Sequence, residues 1–177
     1  MKKKILLFLC LFTVISCGST KTFQSFFNAH KNDIGATTFQ VPSFMRTMLT
    51  AFSPEMNGLF DNLSDFKFMT FTDVSKTKQT ELIEHINRIT ASNYKDIIRE
   101  NSLDKTTLFS IVEKENTVHK IIVLTSSFSK TSVFYLEGHF DPNVLRTISK
   151  TNQFEQLSQK LLQSYEFPTN TGFNPKR

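Results

Sequence analysis

His119, Glu137 and His139 are the side chains of this sequence whose types and spacing come nearest to a chemical site. The two histidines lie in successive apolar runs, and Glu137 precedes His139 by two residues. If the hairpin between these runs turns at Ser129, His119 stands opposite His139, and Glu137 follows on the same face. Imidazole and carboxylate groups bind zinc, so the three are candidate metal ligands and the candidate centre of a small enzyme. The alternative, which we favour, is a polar strand end facing solvent, because a shift of one residue in register separates the group.

Glu81 and His85 are a second pair of potential ligands, because they lie four residues apart on one predicted helix. Two ligands without a third are more often a surface pair than a metal site. The sequence also has none of the short motifs of zinc proteases, serine hydrolases or nucleotide-binding loops. We therefore predict no catalytic residue, no metal and no cofactor, and a protein that is not an enzyme.

Cys17 is the residue whose chemistry the sequence indicates most directly. A basic head at residues 1–4 precedes an apolar run from Ile5 to Ile15, which suits an export signal and is too short to span a membrane. The segment Val14-Ile15-Ser16-Cys17-Gly18 resembles the bacterial lipobox, in which a small residue precedes a cysteine that is acylated through its thiol. The alternatives are an ordinary secretory signal that ends in Cys and an uncleaved anchor. We predict cleavage before Cys17 and attachment of palmitate-type acyl chains to it.

Removal of the signal changes the charge and the cysteine content of the chain. The 21 basic residues become 18 without Lys2, Lys3 and Lys4, against 16 acidic ones, so we expect no nucleic-acid partner. Cys10 leaves with the signal, and a lipidated Cys17 leaves no disulfide. A hydrophobic content of 39%, with nineteen Phe and no Trp, favours one folded domain. The predicted organisation is a signal peptide at 1–16, a lipidated Cys and tether at 17–22, a single domain at 23–165 and a flexible tail at 166–177.

The strongest structural pattern is a three-stranded antiparallel meander from Thr107 to Phe140. It consists of three apolar runs rich in β-branched and aromatic residues. Two polar breaks, Glu115 to Thr117 and Ser127 to Lys130, separate the runs, and their lengths predict hairpin loops of three to five residues.

Two further strands are predicted before the meander. Thr37–Val41 is expected to be extended, because Pro42 disfavours helical geometry at the residue before it. Asp65–Thr72 has apolar side chains on both alternating faces, which indicates a strand in the interior of the sheet.

Helical periodicity predicts the remaining elements. Phe23, Phe26 and Phe27 form one stripe of a short helix, which either docks on the domain as core, as we favour, or lies in the membrane headgroup region. The segment from Lys76 to Glu100 is predicted to be a broken helix or two helices, with Asn93 as the cap of the second piece. Other helices are expected after Pro42, with the apolar residues Phe44, Met45, Met48, Leu49 and Phe52, from Asp141-Pro142, and around Phe154, Leu157 and Leu161.

The order of these elements predicts an α+β fold. We expect a mostly antiparallel sheet of about five strands, including the three-stranded meander, with helices packed on it.

This order of elements and the segment Leu136-Glu137-Gly138-His139-Phe140-Asp141 carry a resemblance to a known family. The chain resembles the domain-of-unknown-function 4252 family of Gram-negative bacterial lipoproteins. The resemblance covers about Phe23 to Lys150 and rests on the element order and on the L-x-G-x-F-D phrase. It implies an envelope lipoprotein with one small α+β domain, and it carries over no catalytic residue. The segment from Leu157 onward extends beyond the usual end of the family.

We therefore expect a lipid-anchored protein of the bacterial cell envelope, facing the periplasm from the outer membrane. Its expected role is to bind a protein partner or a second copy of itself. The alternatives are the small enzyme with the His/Glu cluster and a passive structural or stress-related lipoprotein.

The predicted contact surface is one face of the meander. A turn at Ser129 gives one face Phe109, Ile111, Ile121, Val123, Val133 and Tyr135, and the other Leu108, Val112, Ile122, Leu124, Phe134, Leu136 and Phe140. If helices cover only one side of the sheet, the first face stays open, and Phe109, Val123 and Tyr135 are candidate partner-binding residues. The alternative is that the helices at 44–52 and 82–98 lie on opposite faces and close both.

Overall fold

The computed structural model describes residues 21–42, 46–149 and 152–165. The predicted signal peptide, Cys17, Phe44, Met45 and the predicted tail lie outside these residues. The helices are α1 (Phe23–His30), α2 (Arg46–Phe52), α3 (Asn57–Phe60), α4 (Lys76–Asn93), α5 (Pro142–Ser149) and α6 (Gln153–Tyr165), with a short 3-10 helix, Pro54–Met56, before α3. The strands are β1 (Ala36–Val41), β2 (Leu63–Phe71), β3 (Lys95–Asn101), β4 (Lys105–Lys114), β5 (Thr117–Ser127) and β6 (Lys130–Phe140).

The strands form one antiparallel sheet in the order β1-β2-β6-β5-β4-β3. The predicted α+β fold and the meander, β4 to β6, are confirmed. Strand β2 lies between β1 and β6, as its apolar residues on both faces indicated. None of the helices in the described segments is long and apolar enough to cross a membrane.

The sheet has six strands rather than about five, because the second half of the predicted broken helix is strand β3. Helix α4 ends at Asn93, which therefore caps no second helix, and Lys95–Asn101 pairs with β4. The apolar residues Tyr94, Ile97 and Ile98 fit a helical stripe, but pairing with the open edge of β4 outweighs so short a pattern.

Both hairpin turns of the meander are shorter than predicted, with two residues each. Lys114 pairs with Thr117, and Ser127 pairs with Lys130. Glu115 and Asn116 have φ values of 52° and 58°, as in the type I′ turns that match the twist of paired strands.

The shorter turn shifts the β5–β6 register by one residue relative to a turn centred on Ser129. Val123 therefore pairs with Phe134, and Ile122 pairs with Tyr135. Because side chains alternate along a strand, this shift exchanges the two faces of β6. Tyr135 shares a face with Ile122, and Phe134 shares the opposite face with Phe109 and Val123.

Helices cover both faces of the sheet, so the prediction of an open face was wrong. The α4 face is covered by α1 and α4 through Phe23, Phe26, Phe27, Leu82, Ile86 and Ile89. The α6 face is covered by α2, α3, α5 and α6 through residues that include Leu49, Phe60, Leu145, Phe154 and Leu157. The candidate partner-binding residues Phe109, Val123 and Tyr135 are buried, the first two on the α6 face and the third on the α4 face. They form no exposed surface, because the chain supplies helices on each side.

Helix α1 belongs to the core and does not present its Phe stripe to solvent. Phe23, Phe26 and Phe27 are all buried. Thr22 caps the start of the helix: its hydroxyl accepts a hydrogen bond from the Ser25 backbone N–H at 3.2 Å, while the Ser25 hydroxyl accepts one from the Thr22 N–H at 3.3 Å. This capping arrangement satisfies backbone donors at the start of the helix and sets its direction.

Candidate functional site

Exposed apolar side chains concentrate at one end of the sheet, which we call the tip end. The β3–β4 and β5–β6 turns lie side by side there, because Lys105 pairs with Ser127. Leu103 in the first turn is 92% exposed, and Phe128 in the second is 85% exposed. Ile34, which is 97% exposed, precedes β1 at the same end. Of the four large apolar side chains that are exposed within the described residues, only Ile97 lies elsewhere.

The turn that carries Phe128 is held by Gln79, a buried residue of α4, and by Val74, which precedes that helix. Phe128 has a φ of 51°, a conformation that large side chains rarely adopt. Its carbonyl accepts a hydrogen bond of 2.6 Å from the side-chain amide of Gln79, which is only 2% exposed. The Val74 N–H donates to the Ser129 carbonyl at 3.2 Å. These bonds hold the turn in a conformation that projects an aromatic ring into solvent, and such strained positions often mark functional sites.

A cleft of about 360 Å³ adjoins the two turns. Within the described part of the chain, the ammonium groups of Lys105 and Lys130 at its mouth form no ion pair. Asp104 and Glu155 also border the cleft, whose wall is rich in the hydroxyl groups of Thr125, Ser126, Ser127, Ser132 and Ser158. The tip end therefore combines apolar side chains with charges of both signs.

A second cleft, of about 400 Å³, lies beside the start of α1 and contains the predicted residues Tyr135 and Glu137. The Tyr135 ring stacks on the Phe23 ring with centroids 4.8 Å apart. The Tyr135 hydroxyl donates to the Glu137 carboxylate at 2.5 Å. The Lys67 ammonium group lies over the Tyr135 ring, 5.5 Å from its centroid, and forms an ion pair with the Asp65 carboxylate.

The charged groups of this α1 cleft compensate one another. Burial raises the pKa of Tyr94 to about 12, and the Glu137 carboxylate contributes to the shift. Burial also raises the pKa of Tyr135, together with its hydrogen bond to Glu137. Neither hydroxyl is therefore ionised near neutral pH, and each carboxylate already has a partner. We interpret the cleft as a polar network that fixes α1 on the sheet, because Phe23 of α1 stacks on the Tyr135 ring and Tyr135 is bonded to Glu137.

The structure brings His119 and His139 together but does not add Glu137 to them. Their ring centroids are 5.2 Å apart, because β6 carries an extra residue at Gly138–His139 relative to β5. The Glu137 carboxylate instead binds the Tyr135 hydroxyl and lies 3.7 Å from the Lys120 ammonium. In the segments that the structure describes, no group of three or more His, Cys, Asp or Glu side chains could hold a metal ion.

Glu81 and His85 also contact other residues rather than each other. His85 Nδ1 lies 3.1 Å from His30 Nε2, and His30 Nδ1 lies 2.8 Å from the Asp33 carboxylate. Lys78 bridges Asp33 and Glu81 at 2.9 and 3.1 Å. Burial lowers the pKa of His85, and the neighbouring His30 lowers it further. This network joins the segment after α1 to α4.

Comparison with known protein families assigns most of the chain to one family. A family model described as a domain of unknown function, DUF4252, matches residues 29–148. The chain belongs to the DUF4252 family. No curated protein and no solved structure matches it.

The DUF4252 match extends from the end of α1 to the end of α5 and includes all six strands. Most of α1 and all of α6 lie outside it, yet both helices are part of the cores. Phe26 of α1 is buried on the α4 face, and Leu157 of α6 is buried on the α6 face. In this DUF4252 protein the flanking helices therefore complete the cover of the sheet.

Sequence reasoning missed the residues of the tip end. Phe128 was read only as part of a polar break, although a lone Phe between Ser127 and Ser129 in a predicted turn was a usable signal. Leu103 carried no such signal, because its exposure depends on the unexpected β3–β4 hairpin. Lys67 lies between Phe66 and Phe68 in β2, and its position in that sequence gave no indication that its side chain is buried.

Proposed function

We propose that this DUF4252 protein is a lipid-anchored module of the bacterial envelope that binds a protein partner through the tip end. The observation that carries the proposal is the pair of exposed side chains, Leu103 and Phe128, on adjacent turns, one of which is held by the buried Gln79. Exposed aromatic side chains on a rigid turn lose little conformational freedom on binding and are typical of interface anchors. Charges of both signs around the tips favour a protein over an anionic lipid surface.

The start of α1, which the proposed anchor precedes, is separate from the tip end. The start of α1 lies beside Glu137 and Lys120, toward the other end of β6 from the turn at Phe128. With about 3.3 Å per residue, this separation is roughly 25 Å along the strand. A lipid on Cys17, close before α1, would therefore leave the tip end free for a partner.

The first experiment is site-specific photo-crosslinking in cells. A photoreactive phenylalanine analogue at position 128 or 103 is expected to give a discrete crosslinked product with one protein. The same analogue at Asn143, an exposed residue at the other end of the sheet, is expected to give none. A passive structural lipoprotein would give no product at either tip, and crosslinks to lipid alone would contradict a protein partner.

Substitution of the tips supplies the matched test of the same prediction. Leu103→Ser with Phe128→Ser is expected to change the free energy of unfolding by less than about 1 kcal/mol, since both side chains are exposed. The variant is expected to lose the partner, whereas Ile97→Ser, which removes the fourth exposed apolar side chain, keeps it. A folded double variant that retains its partner would disprove binding at the tip end.

The lipid anchor has its own test, which follows from the lipobox-like segment before Cys17. The intact mass of the protein from membranes is expected to correspond to a chain that begins at Cys17 and carries acyl chains. Cys17→Ser is expected to abolish both the acyl mass and the cleavage, because the thiol is the acylated group. Membrane association alone is not the readout, since an uncleaved signal also anchors the chain. If the Ser variant showed the same cleavage and the same acyl mass, the lipoprotein interpretation would be wrong.

A further inference from the structure

The two edge strands of the sheet differ in how they are protected against pairing with another strand. Strand β3 carries Lys95, Asp96, Arg99 and Glu100 and has a register irregularity after Asp96. Charges and bulges are the usual means by which edge strands avoid pairing. Strand β1, Ala36–Val41, has no charged residue and pairs with β2 in unbroken register. Within the described segments only β2 pairs with it.

The backbone groups on the free side of β1 can be identified from one hydrogen bond. The Thr72 N–H donates to the Gly35 carbonyl at 3.0 Å, and these two residues continue the β1–β2 register. Hydrogen-bonded positions alternate along an antiparallel pair, so Thr37 and Phe39 also bond to β2. The N–H and C=O groups of Thr38 and Gln40 and the C=O group of Ala36 therefore point outward from the sheet and can pair with another strand. The Ala36 N–H already donates to the Asp33 carbonyl at 3.1 Å.

We propose that β1 pairs with β1 of a second copy of this chain, antiparallel, about a two-fold axis at Thr38. Thr38 then faces Thr38 of the second copy, and Ala36 faces Gln40. The available groups of both strands form roughly four backbone hydrogen bonds, two between the Thr38 residues and one from each Gln40 N–H to the Ala36 carbonyl of the other copy.

The sequence of β1 favours a second copy as the occupant. A two-fold axis brings each residue opposite the same segment, so any charge on the strand would meet a like charge close by. The strand Ala36–Val41 has none, and its Thr, Phe and Val residues suit a sheet. Pairing about this axis also keeps the α4 faces of both copies, with their α1 helices, on one side of the joined sheet. That arrangement is compatible with two lipid anchors in one membrane.

Disulfide trapping of the full-length protein in membranes tests the pairing directly. Residues of a hydrogen-bonded antiparallel pair have Cα atoms about 5.5 Å apart, within the range that a disulfide spans. Thr38→Cys is expected to give a covalent dimer on mild oxidation. Gln40→Cys is the matched control, because it faces Ala36 and not itself, and it is expected to give at least tenfold less dimer. Ala36→Cys combined with Gln40→Cys is expected to restore the product.

A second measurement tests the pairing without an introduced thiol, which could itself disturb β1. Thr38→Lys puts two ammonium groups opposite each other at the axis and is expected to weaken the dimer at least tenfold in sedimentation equilibrium, while Ile97→Lys on β3 leaves it unchanged. Equal trapping at positions 38 and 40, or a wild-type protein that is monomeric in membranes and in detergent, would overturn the proposal. The Leu103→Ser and Phe128→Ser changes leave β1 intact, so failure at the tip end and failure at this edge are distinguished.

Discussion

Phe26→Ala is expected to lower the free energy of unfolding by about 3–5 kcal/mol, the usual range for a fully buried Phe. The ring is completely buried in α1, with its centroid 4.8 Å from that of His30 and 5.2 Å from that of His85. Its removal leaves a cavity between α1, α4 and the sheet, because the surrounding side chains relax only in part. Denaturant unfolding followed by circular dichroism measures the loss.

Gln24→Ala is the control for this prediction, since Gln24 lies on the exposed side of the same helix. We expect its effect to be below about 0.5 kcal/mol. Most of α1 lies outside the DUF4252 match, so the comparison also tests whether the domain includes this helix. Equal stability of the two variants would mean that α1 does not unfold together with the sheet, and would reopen the alternative in which the Phe stripe lies on the membrane.

Gly138→Ala is expected to destabilise the domain by about 3 kcal/mol, at the upper end of the range for overpacked sites. A Cβ atom at this position would lie 2.2 Å from the Asn62 carbonyl oxygen and 2.7 Å from the Phe140 ring. That carbonyl cannot move freely, because it accepts a hydrogen bond of 3.0 Å from the His139 N–H. For a domain of this size the change corresponds to a decrease in Tm of roughly 10 °C, measured by thermal unfolding.

Gly58→Ala provides the matched glycine control. Its Cβ would lie 3.6 Å from a Val144 methyl group, which is an ordinary contact, and Ala suits helix α3 better than Gly. We expect a change of less than about 1 kcal/mol in either direction. If Gly138→Ala had the Tm of the wild type, the Asn62 carbonyl could not lie as close to Gly138 as the structure places it.

The packing around Gly138 also explains part of the L-x-G-x-F-D phrase, Leu136 to Asp141, on which the family resemblance rested. The pairing of β6 with both neighbouring strands is irregular at this point. Strand β2 has an extra residue, Ser64, relative to β6, and β6 has an extra residue relative to β5 next to His119. Because Gly138 has no Cβ, the backbone at Asn62, just before β2, can lie close to β6, and the Phe140 ring packs beside it on the α6 face. Packing therefore explains the glycine and the phenylalanine of this phrase.

Periodicity predicted elements wherever a segment carried its own pattern. Apolar runs rich in β-branched and aromatic residues predicted β5 and β6, apolar side chains on both faces predicted β2, and the Phe stripe predicted α1. Asp141 accepts a hydrogen bond of 2.7 Å from the Asn143 N–H at the start of α5, as the Asp-Pro pair indicated. These features depend on residues close to one another in the chain, so the sequence alone was sufficient to determine them.

The tertiary structure alone decided the β3 strand, the register of β6 and the cover of both faces. Tyr94, Ile97 and Ile98 suit a helix or a strand, and only the free edge of β4 selects the strand. The two-residue turn at Phe128 depends on Gln79, which is remote in sequence, and that turn determines which face Tyr135 occupies. The exposure of the tips and of the β1 edge depends in turn on which surfaces the helices leave uncovered, a property of the packed chain and of no single segment.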